Sequence, residues 1–221
     1  KTDRLQNYDH EFESRDGYAY LVNKDDAIPV NIYMGVDLAY EATESSDYQI
    51  IMVIGIDSDR NIYVIDYMRE HIPLYDMPEQ ILEYAREFSP VKRVNVEHVG
   101  AQGIIKDAVN SLSGKERKVA PGIALGVRPP SGIKKEDRLE SLLAPIVNRK
   151  KMFIKRSHTS LVDEMYQFPK GKNDDILDGL WYAINKARPP VSKRFDATDF
   201  IENKVVKPVS ETKKRVISWV T

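Results

Sequence analysis

The sequence of 221 residues contains no cysteine. This absence excludes disulfide bonds, zinc sites built on thiolates and cysteine nucleophiles, and it is compatible with a reducing compartment. No apolar run approaches the roughly 20 residues that span a bilayer, and the polar N-terminal residues contain no signal-peptide core. We therefore expect a soluble, intracellular protein without a membrane partner.

The chain also lacks a strong net charge. Its 33 Lys and Arg residues nearly balance its 34 Asp and Glu residues, so any surface that binds a polyanion has to be a local patch. With 42% hydrophobic residues, the chain is long enough to bury one substantial core. We predict one domain over residues 29–190, a C-terminal tail over residues 191–221 and, because residues 1–28 are charged and weakly periodic, a linker or peripheral arm outside the sheet there.

Three segments rich in Ile, Val and Tyr open the predicted domain. They span residues 31–40, 48–57 and 61–70, and their composition is typical of β-strands. The turn-forming residues Ser58 to Arg60 separate the last two segments. This arrangement predicts three consecutive antiparallel strands.

Helical and strand-like patterns alternate after residue 70. Apolar residues recur at helical spacing over residues 76–88, 100–112, 134–150 and 173–187, and short strand-like segments cover residues 91–100, 123–130 and 151–156. In the last helix, Leu177, Leu180, Trp181 and Ile184 form an apolar stripe. Three antiparallel strands followed by alternating helices and strands predict an α/β fold of the RNase H-like class, with a central mixed sheet flanked by helices.

Two acidic residues lie within or at the end of predicted strands, although a glutamate at a strand end, as at position 97, is by itself more often a surface residue. Asp37 lies within an apolar strand segment, where an unpaired carboxylate is costly unless a cation or a hydrogen-bond partner compensates it. A purely structural, hydrogen-bonded aspartate is the alternative interpretation. Glu97 ends another predicted strand, and strand ends converge at one edge of an open α/β sheet. We expect the two carboxylates to lie close together.

Three further carboxylates crowd the start of the last predicted helix. Asp174, Asp175 and Asp178 have the spacing that places Asp178 beside the other two. One or two of them could simply cap the helix and complement its dipole. Carboxylates this close repel one another, and Mg²⁺ or Mn²⁺ relieves such repulsion. Two such ions roughly 4 Å apart can assist phosphodiester hydrolysis, so the acidic set indicates a metal-dependent nuclease.

Three motifs carry a resemblance to a known family. The segments GVDLA, VEH and KNDDILDGLWYA contain Asp37, Glu97 and the last acidic group, and over roughly residues 30–190 the chain resembles the nuclease domain of bacteriophage terminase large subunits. The resemblance implies that Asp37, Glu97 and the pair Asp174–Asp175 are catalytic metal ligands. It assigns Asp178 an auxiliary role as a ligand or as a neighbour of the ligands.

The same resemblance implies a cellular role. Terminase nucleases cut double-stranded viral DNA during genome packaging in the host bacterial cytoplasm, and their partners are an ATPase motor domain, the small terminase subunit and the portal or procapsid. No G-x-x-x-x-G-K-[ST] phosphate-binding loop occurs in this sequence. We therefore expect either the excised nuclease part of a terminase or a stand-alone relative of it, dependent on Mg²⁺ or Mn²⁺.

A group of basic residues is a candidate DNA-binding surface. Lys135 and Arg138 resemble the Lys-x-x-Arg helix that precedes the last acidic motif in terminases, and Lys and Arg side chains bind phosphate backbones without reading sequence. The candidates are Lys134, Lys135, Arg138, Lys150 and Lys151. The alternative is a solvated helix face balanced by neighbouring acidic residues.

Other functions remain open at this stage. Within the same fold, a RuvC-type junction resolvase or an RNase H acting on RNA–DNA hybrids would use similar carboxylates. An actin-like ATPase domain is a candidate of another class, although Ala39 stands where its first phosphate loop would have Gly. A non-catalytic RNase H-like scaffold for protein docking would bind no metal.

Overall fold

The structure is a computed structural model that describes residues 4–38, 48–98, 103–114, 118–171 and 173–190. Nine strands are present in these ranges. They are β1 (Gln6–Asn7), β2 (Glu11–Arg15), β3 (Tyr18–Val22), β4 (Ala27–Asp37), β5 (Gln49–Ile56), β6 (Ile62–Glu70), β7 (Val91–Glu97), β8 (Ala124–Val127) and β9 (Met152–Ile154). The predicted C-terminal tail, residues 191–221, lies outside the described residues.

Five α-helices accompany the strands in the described ranges. They are α1 (Met77–Glu87), α2 (Gly103–Leu112), α3 (Lys135–Asn148), α4 (Thr159–Gln167) and α5 (Asp175–Ile184). All the helices predicted from the sequence are present, and α4 is an addition to them. None of the helices in this part of the chain is long and apolar enough to cross a membrane.

The central strands form a mixed sheet. β4, β5 and β6 pair antiparallel in chain order, as the sequence predicted. β7 pairs parallel with β4, and β8 pairs parallel with β7. On the opposite side, β9 pairs parallel with β6. Antiparallel strands followed by parallel ones, with helices on the sheet faces, confirm the predicted α/β fold class.

Strands β1, β2 and β3 belong to the sheet, so the prediction that the segment over residues 1–28 lies outside it is wrong. β1 pairs parallel with β9. β2 and β3 form a hairpin, and β3 pairs with the first half of β4. β2 was missed because three of its five residues are charged and Phe12 is its only apolar residue; its charged residues Glu13 and Arg15 are partly buried and form an ion pair with each other.

Alternating residues of β5 face two separate cores. Ile51 and Val53 join the core under α1 and α2, whereas Ile50 and Met52 join the core under α3, α4 and α5. All ten residues of α5 are buried, not only the predicted apolar stripe. The helix lies on β4 and β5 and is covered by α3 and α4, which brings its acidic first turn into the protein interior.

Candidate active site

Asp37 and Glu97 lie side by side where the parallel strands β4 and β7 end, at the edge of the sheet formed by the carboxyl ends of these strands. Their strands are parallel neighbours, and the preceding residues Val36 and Val96 are in register. The Glu97 carboxylate accepts a hydrogen bond from the Leu38 backbone N–H, with an N–O distance of 3.4 Å. Burial, followed by the negative charges of Asp178 and Glu97, raises the pKa of Asp37 well above its usual value. The strand ends therefore place two carboxyl groups in mutual contact.

A close approach between α5 and β4 brings Asp178 to the same edge. A Cβ atom on Gly35 would lie 2.2 Å from both the Ala183 backbone nitrogen and the Gly179 carbonyl oxygen. A Cβ atom on Gly179 would lie 2.4 Å from the Cγ2 atom of Ile50. Only glycine allows backbone contact this close. Gly35, two residues before Asp37, and Gly179, directly after Asp178, are thus required by the close packing of α5 on β4 and β5.

Asp178 is buried between two cationic side chains. It is only 4% exposed, and both the Lys135 ammonium and the Arg138 guanidinium contact its carboxylate. Burial raises the pKa of Asp178 to about 6, against the opposing effect of the two cations. Lys135 also donates to Asp174, with 2.6 Å between Nζ and Oδ1. These ion pairs connect the start of α3 to the start of α5.

The second cation, Arg138, is itself fixed by packing. Its side chain is 8% exposed, and its guanidinium carbon lies 4.5 Å from the centre of the Trp181 ring. A buried guanidinium between a carboxylate and an aromatic face has little freedom to move. Arg138 is therefore part of the interior of the site, and its predicted contact with DNA stays a prediction.

Tyr182 contributes a hydroxyl group that was not predicted from the sequence. It is 1% exposed, and its hydroxyl donates to Glu97 with an O–O distance of 3.0 Å. The Asn95 side-chain amide, also on β7, donates to the carbonyl oxygens of Tyr182 and Asn185, both at 2.8 Å. The spacing of four residues between Asp178 and Tyr182 was the available signal, because it places both on one helix face.

Asp175 points to a different neighbour. Its carboxylate lies 3.6 Å from a guanidinium nitrogen of Arg69 on β6. Arg69 also packs over the Tyr48 ring, 4.0 Å from its centre. β6 lies two strands from β4, roughly 10 Å away at ordinary strand spacing. The structure thus groups Asp178, not Asp175, with Asp37 and Glu97, and the ligand role of Asp175 stays a prediction.

The remaining basic candidates lie apart from one another. Lys134 is exposed immediately before α3. Lys150 and Lys151 follow the other end of this helix, roughly 20 Å away along 14 residues. Lys151 donates to the backbone carbonyl of Asp59 at 3.2 Å. The five predicted DNA-binding residues therefore form no single patch, and their contact with DNA stays a prediction.

The donor chemistry of the site is suited to a hard cation. Carboxylate oxygens are the ligands that Mg²⁺ and Mn²⁺ prefer, and Asp37 and Glu97 present them together. Within the described ranges, no three acidic or histidine side chains form a group arranged to hold a metal ion. Asp178, the third carboxylate at this edge, is instead bound by Lys135 and Arg138. Asp37 and Glu97 are thus the pair that could hold a metal.

Solved structures share this architecture. The large-terminase nuclease of thermophilic phage G20c, with bound zinc, has a TM-score of 0.55 and 17% identity, and the match covers 84% of this chain and 96% of that one. The P22 large-terminase nuclease domain has a TM-score of 0.53 and 13% identity, with coverage of 82% and 87%. No family model and no curated protein matches the sequence. The chain therefore has the RNase H-like fold of phage large-terminase nuclease domains.

Proposed function

We propose that this protein is a metal-dependent endonuclease that hydrolyses double-stranded DNA during viral genome packaging. The Asp37–Glu97 pair, at the ends of two parallel strands, carries the proposal. Asp178 lies at the same edge and adds to its negative potential. Charges of one sign held this close favour a cation-binding function over a structural one. The fold shared with large-terminase nucleases supports DNA as the substrate.

The residues of the site have separable roles in this proposal. Asp37 and Glu97 would hold Mg²⁺ or Mn²⁺, which supplies a Lewis acid and lowers the pKa of bound water. The Tyr182 hydroxyl and the Leu38 N–H each bind one Glu97 oxygen, so they orient that carboxylate. Arg138 fixes Asp178 from the α3 side. Lys134, Lys150 and Lys151 are candidates for contacts to the DNA backbone.

The packaging role implies partners that supply the energy for DNA movement. The sequence contains no G-x-x-x-x-G-K-[ST] loop, so cleavage by this chain should require a divalent metal but no ATP. We propose an ATPase motor domain, a small terminase subunit and the portal or procapsid as partners, in the host bacterial cytoplasm. Hydrolysis assisted by two metal ions, as the sequence indicated, is one form of metal-dependent phosphodiester cleavage.

Replacing Asp37 tests the proposed function. We expect Asp37→Asn to lower plasmid cleavage in Mg²⁺ or Mn²⁺ by at least about 100-fold, because loss of a metal ligand removes several kcal/mol of transition-state stabilisation. Asp163→Asn is the matched control, since Asp163 is exposed on α4. The assay contains no ATP. Wild-type rates in Asp37→Asn would exclude this active site.

The substrate class is tested in parallel. A linear duplex, a four-way junction and an RNA–DNA hybrid are cut at equal concentration by the wild-type protein. We expect the duplex to be cleaved with little sequence preference, because backbone contacts do not read bases. Selective cleavage of the junction would favour a resolvase, and selective cleavage of the hybrid would favour an RNase H.

A further inference from the structure

The four carboxylates nearest the sheet edge form two pairs with different surroundings. Asp37 and Glu97 contact each other, and within the part of the chain that the structure describes neither forms an ion pair with Lys or Arg. Asp174 and Asp178 share the ammonium group of Lys135. Burial, followed by the charge of Asp178, raises the pKa of Asp37 and the Lys135 charge lowers it, but in the described ranges Lys135 forms its ion pairs with Asp174 and Asp178.

The position of Lys135 is built into the packing of the helices. It is the first residue of α3, and the next turn contains Arg138 and Leu139, both buried against α5. Arg138 is held by Asp178 and by the Trp181 ring. These contacts fix the start of α3 over the first turn of α5. A flexible lysine on a solvated face would lack such an anchor.

Charge balance limits how many further cations the site requires. The two pairs carry four negative charges when ionised, and Lys135 with Arg138 supplies two positive charges. Two negative charges remain, which one divalent ion neutralises. A second divalent ion at Asp174 and Asp178 would have to displace Lys135 or accept its repulsion at short range.

We propose that the site holds a single divalent cation, on Asp37 and Glu97, and that the Lys135 ammonium takes the place of a second ion at Asp174 and Asp178. The inference deepens the proposed nuclease function and rests on it. It replaces the two-ion site expected from the sequence by one metal ion and one resident ammonium group.

The same geometry gives Lys135 a role toward the substrate. An ammonium group has three N–H donors, and Asp174 and Asp178 use two of them. The side chain is 40% exposed, so the third donor is accessible from solvent. Its chemistry suits a phosphate oxygen of the DNA strand being cut. The metal and the ammonium would then contact the substrate from the two carboxylate pairs.

Binding of Mn²⁺ tests the inference without an activity assay. We expect calorimetric titration of the wild-type protein to give one equivalent of Mn²⁺, and the bound ion to show the electron paramagnetic resonance spectrum of an isolated Mn²⁺. Two ions roughly 4 Å apart would instead give a spin-coupled spectrum. Two equivalents with a coupled spectrum in the wild type would overturn the inference.

Variants of Lys135 test its part directly. In Lys135→Met, which keeps the length of the stem but removes the charge, we expect a second equivalent of Mn²⁺ and spin coupling. Lys135→Arg keeps the charge and should retain one equivalent. Lys92→Met is the matched control, because Lys92 is an exposed lysine on β7, and it should bind one equivalent of Mn²⁺ as the wild type does. A single equivalent in Lys135→Met would contradict the stand-in role.

The result also separates this inference from the proposed function. Two equivalents in the wild type, lost together in Asp37→Asn, would overturn the single-ion site and leave the metal-dependent nuclease intact. No Mn²⁺ binding by the wild type, combined with no metal-dependent cleavage, would overturn both. One equivalent that Asp37→Asn abolishes supports both.

Discussion

The Tyr182 hydroxyl connects the last helix to the end of β7 through one hydrogen bond. Because it donates to Glu97, it restricts the orientation of a carboxylate proposed to bind metal. Groups that orient ligands in this way typically change metal affinity by roughly 10- to 100-fold. We therefore expect Tyr182→Phe to weaken Mn²⁺ binding by about this factor and to slow cleavage, as measured by calorimetry and by a plasmid assay.

A second buried tyrosine provides the control for this prediction. The Tyr8 hydroxyl donates to the Val64 carbonyl oxygen at 2.7 Å, away from the site. Tyr8→Phe should cost about 1 kcal/mol of stability, as loss of a buried hydrogen bond usually does, without a change in Mn²⁺ affinity. Equal losses of affinity in both variants would indicate that Tyr182 acts only through stability.

At the residue scale, the acidic residues could be found from the sequence because their positions conflict with their surroundings. A carboxylate in an apolar strand, as at Asp37, is conspicuous. The partners of the carboxylates could not be found in this way. Tyr182 fits the apolar helix pattern, and whether Asp175 or Asp178 faces β4 depends on the rotation of α5 about its axis. That rotation is set by the Gly35 contact, which is tertiary.

At the element scale, Glu164 determines how α5 begins. Its carboxylate on α4 accepts hydrogen bonds from the backbone N–H groups of Ile176 and Leu177, at 3.0 and 3.3 Å. These are donors that a helix N-terminus leaves unpaired. No side chain at the N-cap residue Asp174 makes this bond, although the sequence suggested a cap there. A neighbouring helix thus caps α5 and frees Asp174 to bind Lys135.

The ionisation of Glu164 makes this cap dependent on pH. Burial raises the pKa of Glu164 to about 7, against the opposing charge of Arg69. Because the pKa is higher in the folded protein than in the unfolded chain, protonation of Glu164 stabilises the fold. This stabilisation is complete below the usual pKa of a glutamic acid and is lost as the pH rises through about 7. Glu164→Gln keeps an acceptor without a charge, so we expect its free energy of unfolding to fall less between pH 5 and pH 8, by about 1 kcal/mol.

Chemical denaturation at several pH values measures this difference. Asp163→Asn is the control on the same helix, because Asp163 is exposed, and its pH profile should match that of the wild type. An unchanged profile in Glu164→Gln would show that another group causes the pH dependence.

Elements with a clear apolar pattern were predictable, whereas those defined by their neighbours were not. The strands β4 to β6 are rich in Ile and Val, and they lie where the composition predicted them. α4, by contrast, has only nine residues; Leu161 is its one fully buried apolar residue, while Val162 and Met165 are partly buried, and so short an apolar pattern is a weak helical signal. The β2–β3 hairpin depends on pairing with the first half of β4, a contact that local sequence patterns do not reveal.

At the scale of the whole molecule, we expect the acidic site to lower the free energy of unfolding of the metal-free protein. β4, β7 and α5 converge so closely that carboxylates from all three lie at one edge, and burial with mutual repulsion raises the pKa of Asp37. Such repulsion destabilises the metal-free protein, while a bound cation relieves it. Function and stability should therefore respond in opposite directions to the loss of one carboxylate.

Thermal unfolding of Asp37→Asn tests this opposition. Without metal, the variant should melt a few degrees above the wild type, since about 1 kcal/mol shifts the melting temperature by roughly 2–4 °C in a domain of this size. Mn²⁺ at about 100 times its dissociation constant should stabilise the wild type by about 2.7 kcal/mol and the variant hardly at all. Asp163→Asn should follow the wild type in both conditions. A metal-free variant that melts below the wild type would mean that Asp37 stabilises the fold, and the strained-carboxylate account of the site would have to be abandoned.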